Sequence, residues 1–325
     1  MALALMAADA RAEPFAYITN QGSHDVSVID LASRTVVATV PVGRSPAGVV
    51  ASSRAGLVFV SNPDSKTISV IDMREQRVVQ TLPAGDGPVG IDAAAHGAQV
   101  YAADWYRNRL LVFGPAAGDA TTAPPGDPNR YPLIASIAVG QAPAGVAASD
   151  RPGIVFVAER DDDSVALVDV KAQRVRVRAR VGSHPFALLF DAPRQRLYAL
   201  NVKSDDVSVL DTRNPDRLDL IATVKVGKAP YGAALAADGT LLYVTNQHDD
   251  SVSVIDAATL KPLRTLTGFA YPEGVAAHAD RVYVVNWMDD NVSVLDARSG
   301  AALATIDTGT NSRGFGAFIG APTSP

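Results

Sequence analysis

The chain has 325 residues, 47% hydrophobic, 19% charged and 6% aromatic, with 25 Gly, 21 Pro, no Cys and net charge −5. That length admits one large domain or two ordinary ones, and either buries most of the surface its unfolded chain exposes. The missing cysteines exclude disulfides, thiolate zinc sites, Cys-ligated iron–sulfur clusters and thioether-linked haem, and the acidic balance argues against a chain-wide basic footprint for nucleic acid.

Residues 1–12, MALALMAADARA, are apolar and alanine-rich and end on Ala10-Arg11-Ala12, the A-x-A form of a signal-peptidase site. Residues 1–14 are read as the remnant of a secretory signal, its charged start lying upstream, or else as a disordered N-terminal extension. The signal reading places the protein in the periplasm or outside the cell. No run of 18 apolar residues follows, so no membrane span is expected.

From residue 15 onward one pattern repeats. Tyr17-Ile-Thr-Asn20 is followed by Val26-Ser-Val-Ile-Asp30, and Phe59-Val-Ser-Asn62 by Ile68-Ser-Val-Ile-Asp72. The unit recurs at Tyr101, Phe156, Tyr198, Tyr243 and Tyr283, at intervals of 42, 42, 55, 42, 45 and 40 residues. An Asp stands 13 residues after the anchor in six units (Asp30, Asp72, Asp169, Asp211, Asp256, Asp296), where it can start an Asx-turn; the third unit has Gly114 there. Each unit then reaches a Gly, usually followed by Pro and a second Gly, a device for chain reversal. Val, Ile, Tyr and Thr fill four short runs per unit, punctuated by Gly, Pro, Asn and Asp, and no helical period is sustained. Seven four-stranded units predict an all-β, single seven-bladed β-propeller over residues 15–320, with 321–325 as a tail. The chain opens on the second strand of a blade, and Gly314-Phe-Gly-Ala-Phe-Ile-Gly320 matches a first, innermost strand. Three N-terminal strands and one C-terminal strand should therefore share the closing blade.

The Tyr-Val-x-Asn … Val-Ser-Val-Ile-Asp … Val-Gly-x-x-Pro-x-Gly unit resembles the YVTN-repeat β-propeller family. Tyr243-Val-Thr-Asn246 with Ser251-Val-Ser-Val-Ile-Asp256 matches it best. The resemblance implies the propeller fold and points to exported bacterial proteins of the YncE type, with which ligand and DNA binding are associated. Wider propeller relatives include lactonases, a muconate-cyclising enzyme and an antibiotic lyase, so function has to be read from the site.

Residues shared by every unit hold up blades; function is sought where units differ. The residue before the second loop Gly, which Ala187 replaces in the fifth blade, is, in ring order, Arg313, Ala47, Val89, Ala144, Phe186, Tyr231 and Glu273. Small residues line one side, two aromatics and an adjacent opposite-charge pair the other, as in a small-ligand pocket. The residue after the motif Asn gives a second ring, Gln21, Pro63, Trp105, Arg160, Val202, Gln247 and Trp287, which holds both tryptophans, exposed by loop position. The predicted ligand-binding set is Trp105, Trp287, Phe186, Tyr231, Glu273 and Arg313. His24, His184 and His248 share this face and, with Glu159 or Glu273, are secondary candidates for a metal. If the protein is an enzyme, of lactonase or lyase type, His184 or His248 would serve as acid/base, with Glu273 and Arg313 beside them. A binding or scaffold protein is favoured over an enzyme; no nucleophile elbow is present and no cofactor is expected. The expected state is a monomer whose partner is a small molecule or a protein. Arg174, Arg176, Arg178 and Arg180 alternate with valines 175, 177 and 181 on an outer strand, the valines inward. They read as protection of a sheet edge, with a nucleic-acid patch as the lesser reading. The Pro- and Gly-rich insertion 114–132 accounts for the long interval and falls between third and fourth strands, opposite the pocket.

Overall fold

The computed structural model describes residues 14–95, 97–115 and 130–322. The expected N-terminal signal and most of the insertion lie outside them. Seven antiparallel sheets of four strands succeed one another along the chain, which is the seven-bladed propeller, one domain rather than two. The second blade is typical: β4 (Val49–Ser52), β5 (Leu57–Asn62), β6 (Thr67–Asp72) and β7 (Arg77–Pro83), innermost to outermost.

The repeat follows from packing. A middle strand lies between its own sheet neighbours and the faces of two adjacent blades, so both its faces are covered. Every residue of β5 is buried, whereas β7 is largely accessible except for Leu82. In five of the seven blades the motif Asn closes the second strand onto the third; the third and fourth blades carry Asp104 and Glu159 there. Asn246 Nδ2 donates to Ser251 Oγ at 3.0 Å and Ser253 Oγ at 2.9 Å; Asn62 does the same with Thr67 and Ser69. The Ser of Val-Ser-Val is thus the acceptor for the preceding Asn. The Asp ending the third strand accepts turn amides as expected: Asp256 Oδ1 takes the N–H groups of Ala258 and Thr259 at 3.1 and 2.7 Å. Those amides and the Thr259 hydroxyl hold its carboxyl below the usual carboxylate range.

The second loop Gly serves packing more than chain reversal. A Cβ at Gly90 would lie 2.0 Å from the Ala144 carbonyl oxygen of the next innermost strand, and one at Gly232 would lie 2.4 Å from that of Glu273. Inner strands approach too closely there for any side chain.

The first blade joins β1 (Phe15–Asn20), β2 (Asp25–Asp30) and β3 (Thr35–Pro41) to β28 (Ile319–Gly320). Closure by three N-terminal strands and one C-terminal strand is as predicted, but β28 is shorter than its counterparts. Residues before it reach across to the second blade: the amides of Val49 and Ala51 donate to the carbonyls of Phe315 and Ala317, each at 2.8 Å. Two adjacent blades are therefore tied by one segment, with Phe318 fully buried between them.

The insertion separates β10 (Arg109–Phe113) from β11 (Leu133–Ala138), third and fourth strands of its blade. Its described end is anchored by Tyr131, buried edge-on to Phe59 and donating to the Gly97 carbonyl at 2.9 Å.

Candidate functional site

The loops joining second to third strands and fourth to first strands share one end of the ring, and hydrogen bonds between them fix their shape. The last residue of each second-to-third loop adopts a left-handed conformation, with φ 61° at His24, 50° at Asp163, 55° at Asp205 and 48° at Asp250. In every blade but the second, where Lys66 donates to Asp86 instead, its side chain accepts a backbone N–H from the neighbouring loop. Asp163 takes His184 N, Asp205 takes Ala229 N and Asp250 takes Tyr271 N, each at 2.9 Å, and His24 Nδ1 takes Ser45 N at 3.2 Å. Sequence reasoning missed these latches. Their signal was available as Asp or Asn directly before the third strand, a residue type that tolerates left-handed φ.

On this scaffold Trp105, Phe186 and Tyr231 come together in a cavity of ≈ 510 Å³ that Arg160, Val202, Lys203, Asp205, Lys228, Gln247 and His248 also line. Phe186 is the hub. Its ring lies 4.6 Å from Tyr231, 5.1 Å from Phe315 and 6.3 Å from Trp105, centroid to centroid. The Arg160 guanidinium covers the Trp105 ring at 5.4 Å, within cation–π range. Both tryptophans are half-buried rather than exposed, because each packs on such a neighbour. Tyr106 is the exposed ring beside Trp105, at 75%.

Glu273 and Arg313 form the expected pair and stand behind Tyr231 rather than in the open mouth. Arg313 Nε donates to Glu273 at 2.6 Å, and another of its nitrogens donates to the Tyr231 hydroxyl. Gln247 donates to Glu273 at 2.7 Å. Burial pushes the Glu273 carboxyl upward, against the pull of Arg313 and Gln247. The same burial raises the Tyr231 phenol far above its ordinary value. This network props the aromatic floor. Trp287 lies to one side, 5.4 Å from Tyr271 and donating to Gln21 at 3.4 Å, while His248 meets Tyr271 at 3.2 Å and also lines the cavity.

The three histidines are kept apart. His24 faces the Gln21 carbonyl and the Ser45 amide, His184 faces Ser183 with Asp163 at 3.7 Å, and His248 faces Tyr271. Among the described residues no three His, Asp or Glu side chains converge to hold a metal ion, and no hydrogen bond joins His184 or His248 to Glu273 or Arg313. Glu159 is occupied otherwise: fully buried, it accepts from Gly140 N, Ser164 Oγ and Arg178 Nε. The arginine stripe on β15 (Arg174–Arg180) therefore differs from a free row of charge. Arg178 pairs with Glu159 and Arg176 with Asp169, while Arg174 and Arg180 stay exposed. A register shift in the pairing of this strand breaks the alternation, so Ala179 is buried and valines 175, 177 and 181 only half-buried.

No family model matches the chain, and no curated protein does. Solved structures do. A protein of unknown function from Desulfotomaculum acetoxidans superposes with TM-score 0.76 at 16% identity, covering 95% of this chain and 99% of that one. Hydrazine synthase of Kuenenia stuttgartiensis gives 0.72 at 16%, covering 92% and 99%. The dihydro-heme d1 dehydrogenase NirN gives 0.65 at 16%, covering 93% of this chain and 66% of that one. At such identities the likeness is one of fold alone.

Proposed function

We propose that the protein is an exported ligand-binding propeller of the YVTN-repeat type, which holds a small molecule with a flat apolar body and an anionic group at the channel mouth. The observation that carries this reading is the cavity of ≈ 510 Å³ with Trp105, Phe186 and Tyr231 as apolar walls and Arg160, Lys203 and Lys228 around it. Rigid rings supply contact area at low entropic cost. Arg160 and Lys228 are shared with Asp161 and Asp249, at 2.5 and 3.8 Å, and Lys203, in no ion pair among the described residues, is the cation that favours negative charge there. The size is that of ordinary ligand pockets.

Calorimetric titration tests it with naphthalene-2-carboxylate and the corresponding neutral amide. The carboxylate binds, the amide binds about tenfold more weakly, and Phe186→Ala and Lys203→Ala each weaken the carboxylate. Equal affinity of both probes, or binding indifferent to Phe186→Ala, overturns the reading. Turnover of a lactone that Arg313→Ala and His184→Ala both abolish would replace it with an enzyme. DNA binding lost on neutralising Arg174 and Arg180 would replace it with a polyanion-binding role. Export is supported by Ala10-Arg11-Ala12; the mature chain isolated from cells should begin at Glu13 and be found outside the cytoplasm, and a mature chain retaining Met1 inside the cell overturns it.

A further inference from the structure

The innermost strands enclose a second cavity, of ≈ 420 Å³, along the ring axis. It is walled by β8 (Pro88–Ala93), β12 (Pro143–Ala148), β16 (Pro185–Asp191), β20 (Pro230–Ala236), β24 (Pro272–His278) and residues 315–319. The side chains on this wall are Ala, Val, Leu, Ile and Phe, with one exception, Asp92. Two residues past the second loop Gly (Ala187 in the fifth blade), the other blades carry Gly316, Val50, Ala147, Leu189, Ala234 and Ala276 where the third carries this carboxylate. Asp92 is a blade-specific exception of the same kind as those at the mouth.

Its carboxylate accepts the Ala93 N–H and, across the blade boundary, the Ala148 N–H, each at 2.8 Å. No Lys, Arg or His among the described residues pairs with it. Burial pushes the carboxyl up to about 6 despite those two hydrogen bonds. A carboxylate in apolar surroundings without a cation is costly, and a partner that brings the cation relieves that cost.

We propose that the axial channel binds an organic ammonium, a small primary or secondary amine with an apolar body, whose cationic head pairs with Asp92. The apolar body covers the Leu, Val and Ala walls. The remaining N–H groups of the head meet backbone carbonyls, because an inner strand is a sheet edge and half its backbone groups lie outside the blade ladder. A bare divalent cation fits poorly: it wants six or more converging oxygens, and the wall offers one carboxylate. The inference does not rest on the mouth. Phe315 packs on Phe186 and Tyr231 there and also lines the channel, so its ring stands between the two cavities.

Phenethylammonium and its neutral counterpart 2-phenylethanol, titrated at neutral pH, provide the test. The amine should bind one per chain and the alcohol about tenfold more weakly or less. Asp92→Asn should lower amine affinity by about the same factor and leave the alcohol unchanged. In the unmodified protein the amide resonances of Ala93 and Ala148 should shift on adding the amine, a readout that survives even if the variant folds poorly. Equal binding of amine and alcohol overturns the proposal, as does amine binding that leaves those two amides unmoved. No amine binding up to millimolar concentration, or shifts of those amides by Ca²⁺ or Mg²⁺ but not by the amine, overturns it as well.

Discussion

At the scale of single residues, Asp92 is the group whose titration should show in the stability of the fold. Its folded pKa, about 6, lies above the ordinary value of 3.8 because burial penalises the charged form. A carboxyl with a raised folded pKa holds its proton more tightly in the native state. The stability it contributes is therefore present below about pH 4 and is lost as pH rises through about 6. A shift of this size corresponds to about 3 kcal/mol. Asp92→Asn removes the titration, so the stability of the native sequence relative to that variant should decline by roughly this amount between pH 4 and 7. Denaturant unfolding of both proteins across that range measures it; a difference independent of pH refutes the assignment. Asp211 acts in the opposite sense, since the Arg213 side chain holds it down to about 2, so its stability is lost only in strong acid. Asp92 was legible in principle, as the one charged residue at its position in the ring. A strand position, unlike a loop position, gives no hint in sequence that its side chain faces a channel. Phe186, Tyr231, Glu273 and Arg313 were legible because they stand at equivalent loop positions and differ from blade to blade. That Arg313 would spend its hydrogen bonds on Glu273 and Tyr231 depends on side-chain reach across two blade boundaries, which spacing does not encode.

At the scale of elements, strand order and repeat length followed from sequence because each blade restates them. Strand accessibility did not, since a middle strand of a blade is covered on both faces and shows a continuous apolar run instead of alternation. The glycines divide along the same line. Their recurrence was visible, but their purpose is a contact between strands more than 40 residues apart in sequence, as from Gly232 to the Glu273 carbonyl. Gly232→Ala should therefore destabilise the protein by about 1–3 kcal/mol, the usual cost of forcing an extra methyl into a packed core. A Cβ there would meet backbone, which cannot swing aside as a side chain can. By contrast, Gly268→Ala meets nothing within 4 Å and has only its φ of 95° against it. If chemical denaturation ranks Gly232→Ala as the milder of the two, close packing of inner strands is not what the second Gly provides.

At the scale of the whole molecule, the ring is held shut by residues that sequence places at opposite ends of the chain. The closing blade could be foreseen from where the repeat pattern starts and stops. The division of the C-terminal segment between two blades could not, because it depends on backbone hydrogen bonds that any residue can make. Ile319 and Gly320 pair with β1 at Ala16 and Phe15, Tyr17 N–H donates to the Phe318 carbonyl at 2.9 Å and Arg313 N–H to the Thr19 carbonyl at 2.8 Å. The amides of Val49 and Ala51 tie the same segment to the second blade around the buried ring of Phe318. Two contributions can then be separated. Phe318→Ala leaves the backbone ties and removes a fully buried ring, which costs about 3–5 kcal/mol. Deleting residues 313–325 removes both, leaves β1 and β4 with unpaired inner edges, and strips Arg313 from the buried Glu273. The point variant should lower the melting temperature by roughly 10 °C, taking about 2–4 °C per kcal/mol for a chain of this order. The truncation should lower it further and broaden the transition, because an open ring exposes two blade faces that can fray independently. A truncated chain that melts as sharply and at the same temperature as the Phe318→Ala variant would mean that the core contact, not the shared strand, closes the propeller.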